Sequence, residues 1–316
     1  MNFFSKPIDT TAPLAVTPVS RKPTVAVPVS RLHYPGGATT YTSDKTEKQF
    51  LIFTPDSEEV KTLYPTGEVL QGTLNYNFVL SDRNGNLYIW RTPKEHPEIL
   101  PQIHQDLLGT GFLTNGGSYR FRPIKEQMNF MEKARQLNLR NTVAIYADEF
   151  GILLPFIPGT PYDNYLRRGG ITATKNVLDN IIAAHRQNII YGDRWAKNTI
   201  VQPSESIVEI DFDIELMGEI AQEFELAQLL YHILFFSNRR SEMLGFIESY
   251  LQINRIAIAQ YKLSMVEKFL SNYANYFQDK PSEGISGGIK QEITELIRIL
   301  SFRETSQSQV SHAGCR

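Results

Sequence analysis

From about Gly67 onward the apolar and polar positions follow a period of two. Residues 68–72, 76–80 and 87–91 read as three successive strands. Between the second and third lies Asn84-Gly85, and because both residues tolerate positive φ, the pair predicts a tight hairpin. The period then changes. Over 122–138, Met128, Met131, Ala134 and Leu137 recur at helical spacing, and 142–146 with 151–156 read as two further short strands. Past Gly159 the chain turns mainly helical. Segment 176–186 puts Val177, Ile181, Ile182 and His185 on one face, and 219–236, 247–277 and 288–302 supply more helix. One strand pair, 199–201 with 207–210, interrupts this half. Strands followed by helices predict an α+β fold. The first 35 or so residues carry Pro13, Pro18, Pro23, Pro28 and Pro35 without any period, which predicts an extended or disordered leader, and the Ser/Gln-rich segment 304–316 predicts a flexible tail.

Composition narrows this picture only a little. The chain has 316 residues, 41% hydrophobic and 21% charged, enough to bury a core in one large domain or two lobes. A formal charge of -2 leaves no basic surplus, which weighs against nucleic acid and anionic membrane surfaces as partners. The single cysteine, Cys315, admits no intrachain disulfide, so a reducing, cytoplasmic setting is the simpler expectation. The opening Met-Asn-Phe-Phe-Ser-Lys-Pro lacks the basic-then-apolar order of a signal peptide. The longest apolar stretch, 224–236, is interrupted by Glu225, Gln228 and His232, and so reads as a buried helix and not a membrane span.

The candidate chemistry sits between Tyr191 and Asp213. Asp193 is followed by Asn198 after four residues, and Asp211 ends an apolar run further on. A Gly-Asp turn or a loop asparagine is commonplace alone. At these intervals one carboxylate can orient a hydroxyl while an amide and a second carboxylate hold magnesium against ATP.

This segment resembles the catalytic core of the kinase-like phosphotransferases, the superfamily of aminoglycoside phosphotransferases, choline kinases and, more distantly, protein kinases. That family reads His-Gly-Asp, four residues, Asn, then Ile-Asp-Phe; here it is Tyr191-Gly192-Asp193, Asn198 and Ile210-Asp211-Phe212-Asp213. Tyr191 stands where the family has His, and Asp213 where protein kinases have Gly.

The resemblance implies a two-lobed, protein-kinase-like α+β fold, with an N-lobe sheet and helix over 36–158 and a helical C-lobe with a catalytic hairpin over 159–303. It implies transfer of the γ-phosphoryl of ATP, with Mg2+, to a hydroxyl of a small molecule. Asp193 would be the base and Asn198 and Asp211 the metal ligands; Asp213 would reach a second magnesium or cap the following segment. Arg91 would take the place of the phosphate-contacting Lys, paired with Glu126 or with Glu132 on the helix. Gly72, in a short Gly-x-x-Asn turn, would let backbone approach the triphosphate, and the segment around Phe156 would be the hinge that receives adenine. His185 reads as a satisfied core histidine, whereas Arg194 and Trp195 flank the base and shape the acceptor pocket or simply pack. An acceptor pocket is expected over 160–180 and 235–290, with Asp163, Asp179, Glu215 and Glu219 available to a cationic amine. The alternatives are an atypical protein Ser/Thr kinase and a pseudokinase that binds without catalysis.

Overall fold

The structure, a computed structural model, describes residues 38–42, 49–53, 63–70, 72, 74–94, 99–278 and 289–313, with side chains described between 63 and 301. The expected leader lies outside the described residues.

Strands β1 (Ala38–Thr42) and β2 (Gln49–Phe53) form an antiparallel pair ahead of the first strand expected from the pattern. The main sheet has five antiparallel strands. Its order is β3 (Tyr64–Leu70), β4 (Asn75–Ser81), β5 (Leu87–Pro93), β8 (Ile152–Pro155) and β7 (Tyr146–Ala147). The β4–β5 turn differs from the expected one in a single respect: only Gly85 has positive φ, because the Asp82 carboxylate accepts from the backbone N–H groups of Asn84 and Asn86 and closes the loop without a second left-handed residue. Strand β7 is shorter and later than the expected 142–146 strand. The N–H of Thr142 donates instead to Glu209 O at 2.9 Å, which draws that stretch away from the sheet.

Side-chain alternation gives the sheet two working faces. Phe78, Leu80, Trp90 and Leu153 pack together with Leu63 on one. The register Asn77↔Arg91 and Val79↔Ile89 puts the odd-numbered residues of β4 and β5 on the other face, toward the rest of the protein. Ile152 and Leu154 pack there with Met131 and Ala134 of α2 (Ile124–Gln136), and with Tyr191 and Phe212.

Between β5 and α2 the chain forms α1 (Leu100–Gly109) and β6 (Ser118–Phe121). Neither was expected from the pattern. Strand β6 pairs with β12 (Ile214–Met217), and β9 (Thr160–Pro161) extends β10 (Thr199–Val201) and β11 (Ile207–Glu209) into a three-stranded sheet. The helical half therefore holds more than the single strand pair expected.

The helices are α3 (Tyr162–Arg167), α4 (Ala173–Arg186), α5 (Ala221–Phe236), α6 (Arg240–Ile253), α7 (Arg255–Ile258), α8 (Leu263–Gln278) and α9 (Ile289–Ala313). The stretch 247–277 is thus broken, with Asn254 ending α6 through its N–H to Tyr250 O and starting α7. Helix α9 runs through most of the expected tail, where Arg, Glu and Gln favour helix. Helix α5 is buried nearly all round, which explains its lack of an amphipathic face. Among the described residues no helix is long and apolar enough to cross a membrane.

Trp90 is fully buried in the sheet, and among the described residues nothing accepts from its Nε1. Trp90→Ala should therefore cost about 3–5 kcal/mol by denaturant unfolding. Trp90→Phe should cost less than about 1.5 kcal/mol, since no hydrogen bond is lost; equal costs for the two would contradict this packing.

Candidate functional site

Arg122 follows β6 directly, and the β6–β12 ladder carries it to the centre of the molecule. Its backbone N–H donates to Asp213 O at 2.7 Å. Its guanidinium Nη1 donates to the carbonyls of Tyr191 (3.1 Å), Phe212 (3.0 Å) and Ile214 (2.8 Å), and Nη2 donates to Ile190 O at 3.1 Å. Burial pulls this guanidinium down to about 10, countered by Glu215 and Glu225, so it remains charged at neutral pH. A single buried cation thus ties the segment entering Asp193 to the segment carrying Asp211. A guanidinium suits this because its donors diverge in a fixed fork.

The first of those segments is held from the other side by α5. Gly192 has φ 111°, and a Cβ there would run into the carbonyl oxygen of Ile214. Its N–H donates to Glu225 Oε1 at 2.7 Å, and the next N–H but one, that of Arg194, donates to Gln228 Oε1 at 2.7 Å. Gln228 Nε2 then donates to Asp193 Oδ1 at 2.8 Å, which fixes the carboxylate. Glu225 is itself held by His185, whose Nε2 lies 2.6 Å from Oε2 and whose Nδ1 lies 2.7 Å from the Tyr261 hydroxyl. His185 is accordingly a buried, satisfied histidine. The polar interruptions of α5, at Glu225, Gln228 and His232, line one face at helical spacing and serve this loop.

Arg194 turns inward. Its Nη1 donates to Glu209 Oε2 at 2.6 Å and its Nη2 to Asp211 O at 2.9 Å, and both side chains of the Arg194–Glu209 pair are buried. It does not flank the pocket, which corrects that expectation; Trp195 does, packed at a tilt against His232 with ring centroids 4.4 Å apart. Asn198, in a 3-10 turn (Ala196–Asn198), donates its amide hydrogen to Asp193 O at 2.9 Å, leaving Oδ1 as its acceptor end.

Asp211 adopts φ 69°, an uncommon conformation for a residue with a side chain. Its carboxylate meets Arg91 Nη1 at 3.2 Å, and Arg91 also reaches Asp213 at 3.5 Å and Asn77 Oδ1 at 3.2 Å. Asp213 accepts a further, short hydrogen bond from Asn75. Arg91 therefore pairs with Asp211 and Asp213, and with neither glutamate. Glu126 binds Arg120 at 2.6 Å and Glu132 binds Arg135, both near the surface, because α2 turns these residues away from the sheet face that carries Arg91. Asp213 does not cap the following segment; its two oxygens go to Asn75 and Arg91.

Burial raises the Asp193 carboxyl to about 6, against the pull of Lys197, the Gln228 hydrogen bond and Arg194. Burial also works against charge at Asp211, but Arg91, a hydrogen bond with Asp213, and Lys197 outweigh it and hold Asp211 low. Asp213 is pushed up to about 7 by burial and by the neighbouring Asp211 charge.

Gly72 sits in the β3–β4 turn, where its carbonyl accepts from Lys94 Nζ at 2.7 Å and a Cβ would meet Asn75 O at 2.5 Å. Phe156 follows β8, and its N–H is engaged by Leu87 O at 3.1 Å, so a base arriving there would use a neighbouring backbone group. Beside Asp193 lies a cavity of about 40 Å³, lined among others by Asp106, Trp195, Gln228, Tyr273 and Phe277. Its acidic group besides Asp193 comes from α1, and its far wall from α8. The region 160–180 does not line it. Asp179 is tied to Lys175 and Tyr250, Glu215 to Arg120, and Asp163 and Glu219 are not among its walls.

The donor set suits a hard cation completed by a ligand. Among the described residues no group of three or more His, Cys, Asp or Glu side chains is placed to hold a metal alone. A magnesium bound with phosphates needs only one or two protein oxygens, such as Asp211 and Asn198 offer.

No family model matches the chain, and no curated protein matches it. The chain is similar to a crystal structure of WbdD, at 12% identity and a TM-score of 0.41, over 73% of this chain and 50% of that one. It spans about half the length of that structure.

Two outcomes follow for stability. Arg122→Met should cost at least about 3 kcal/mol, because the carbonyls it serves are left unpaired, and Arg122→Lys should recover less than half of the loss; a lysine variant as stable as wild type would contradict the role of the fork. For metal-free protein, the raised Asp193 value means the folded state keeps a proton that the unfolded state releases. Asp193 should therefore lower the stability of the folded state as pH rises from about 4 through 6, and Asp193→Asn should remove that share of the pH dependence, gaining about 1–3 kcal/mol at pH 7. Thermal melts of both proteins across that range provide the check.

Proposed function

We propose that the chain is an ATP- and Mg2+-dependent phosphotransferase of two-lobed, kinase-like build, which moves the γ-phosphoryl group to a hydroxyl of a small molecule. The observation that carries this is the joint immobilisation, by Arg122, of the loop bearing Asp193 and the segment bearing Asp211. Bound ATP with Mg2+ supplies the phosphoryl group and much of the charge neutralisation.

The chain's own residues do the rest. Asp193, fixed by Gln228 at the cavity, accepts the hydrogen bond of the acceptor hydroxyl and takes its proton as the bond to phosphorus forms. Its raised value, about 6, suits a base that works near neutral pH. Asp211 and the Asn198 amide oxygen would hold the metal. Arg91 exchanges part of its carboxylate contact for phosphate oxygens, as a guanidinium can. Lys94, held on the Gly72 carbonyl, places a second cation by the phosphate loop. Phe156 and its neighbours form the base-binding edge. Glu126, with its carboxylate on Arg120, takes no part.

For the acceptor, the aromatic walls and Asp106 favour a small alcohol with an apolar body and an amine. At about 40 Å³ the cavity has room for only a few waters, so α1 and α8 must part to admit it.

A non-catalytic, nucleotide-binding role is the second reading, favoured by the engagement of Arg91 with both Asp211 and Asp213. Labelled ATP, Mg2+ and a metabolite extract separate the possibilities. Label passing to a small molecule, with Asp193→Asn slower by about 10²–10⁴-fold, is the expected result. Label retained on the chain would instead indicate protein kinase action, and ATP binding without transfer would favour the second reading.

A further inference from the structure

Two of the polar side chains on the inner face of α5 are fully used. Glu225 takes the N–H of Gly192 and faces His185, and Gln228 takes the N–H of Arg194 and holds Asp193. His232, the next polar position on that face, is only half used. It is 1% exposed, and its Nδ1 lies 3.3 Å from the Arg194 carbonyl oxygen. A carbonyl only accepts, so Nδ1 carries the hydrogen and Nε2 is left as a bare lone pair. Burial pulls the imidazole down to about 4, which keeps it neutral at physiological pH. Among the described residues nothing donates to Nε2, although the atom is buried. A buried acceptor without a donor is uncommon, because it has given up its hydrogen bonds to water for nothing. The ring also has a telling position. Trp195 and Tyr273 are walls of the cavity beside Asp193, and His232 packs against both, with ring centroids 4.4 and 6.2 Å away.

We infer that His232 Nε2 is a binding site at the back of this cavity, which takes the O–H or N–H of a second polar group on the alcohol to be phosphorylated; this rests on the phosphotransferase reading. Trp195, only partly buried, turns aside to join the space over His232 to the cavity. Asp193 then receives the reacting hydroxyl and His232 the second donor. Gln228, which fixes Asp193, lies four residues before His232 on the helix, so the two positions are offset by about 6 Å. A four-carbon diol has that reach. The ligand class is therefore an alcohol with a second O–H or N–H at this distance, a polyol or an amino alcohol, and the surrounding rings cover the carbons between. An ether oxygen in the same place is rejected, since it sets one lone pair against another and leaves Nε2 unpaired.

The test uses the full chain, labelled with nitrogen-15 at histidine, with Mg-ADP present and 1,4-butanediol and 4-methoxy-1-butanol as probes. The two probes share a hydroxyl and differ in whether the far oxygen carries a hydrogen. The free protein is expected to show His232 with its hydrogen on Nδ1 and a bare Nε2. The diol is expected to shift the Nε2 resonance toward that of a hydrogen-bonded lone pair, and the ether to leave it in place. In His232→Asn the amide nitrogen stands in for Nδ1 and nothing replaces Nε2. That variant is expected to weaken diol binding about tenfold, read by saturation-transfer titration, with ether binding changed less than about twofold; His232→Gln, whose amide oxygen reaches the Nε2 position, is expected to restore the diol. A hydrogen found on Nε2, an Nε2 already hydrogen-bonded in the free protein and indifferent to the diol, as a buried water would make it, or an equal response to both probes overturns the inference. Calorimetry with Mg-ADP tests the phosphotransferase reading separately. Failure to bind the nucleotide, with the diol still shifting Nε2, removes that reading and leaves His232 as a binding site.

Discussion

The site depends on one buried guanidinium. Arg122 collects the carbonyls of Ile190, Tyr191, Phe212 and Ile214, and so joins two segments that neither share a strand pairing nor adopt relaxed backbone. Gly192 at φ 111° and Asp211 at φ 69° are both in the left-handed half of backbone space. Such conformations persist only where surrounding bonds over-determine them, and they concentrate where function needs a fixed side chain. The β6–β12 ladder places Arg122, which itself lies far along the chain from both segments it holds.

Buried charge around this hub is matched group by group. Glu225 receives His185 and the N–H of Gly192, Glu209 receives Arg194 and Thr199, and Asp211 with Asp213 shares Arg91. A buried ion pair adds little net stability, but losing one partner is costly, so these pairs specify a single arrangement more than they strengthen it. Asp193 departs from the pattern. Its fold-side partner is the neutral amide of Gln228, and burial raises its carboxyl to about 6 against the pull of Lys197, that hydrogen bond and Arg194. The protein accepts a less stable carboxylate at the one position proposed to handle a proton.

Much of the architecture was legible in the pattern of the chain. The period-two runs found β4 and β5, the 3.6-residue spacing found α2, α4 and α5, and the interrupted apolar stretch was rightly a buried helix. Elements with short or mixed patterns escaped: β1, β2, α1 and β6 carry too few periodic positions, and the α6–α8 breaks depend on Asn254 and its backbone bonds. At the site, the spacing of Asp193, Asn198 and Asp211 marked the segment, but the residues that position it lie far away in sequence. Two signals were present and unread. Alternation along β4 and β5 puts Asn75 and Asn77 on the face of Arg91, and the spacing of Glu225, Gln228 and His232 is that of one helix face. Arg122 had no local signal, because its partners are backbone carbonyls. The misassigned Arg91 partner has the same origin, since distance along the chain cannot tell which side of α2 meets the sheet.

In the proposed function Asp211 and Asn198 present oxygens to a divalent ion that arrives with a nucleotide. Electron paramagnetic resonance of Mn2+ titrated into the protein tests it directly. The expected result is weak Mn2+ binding by the protein alone, tight binding once ADP is added, and loss of that gain in Asp211→Asn with the fold intact. Mn2+ binding that is indifferent to ADP, or unchanged in Asp211→Asn, would contradict it.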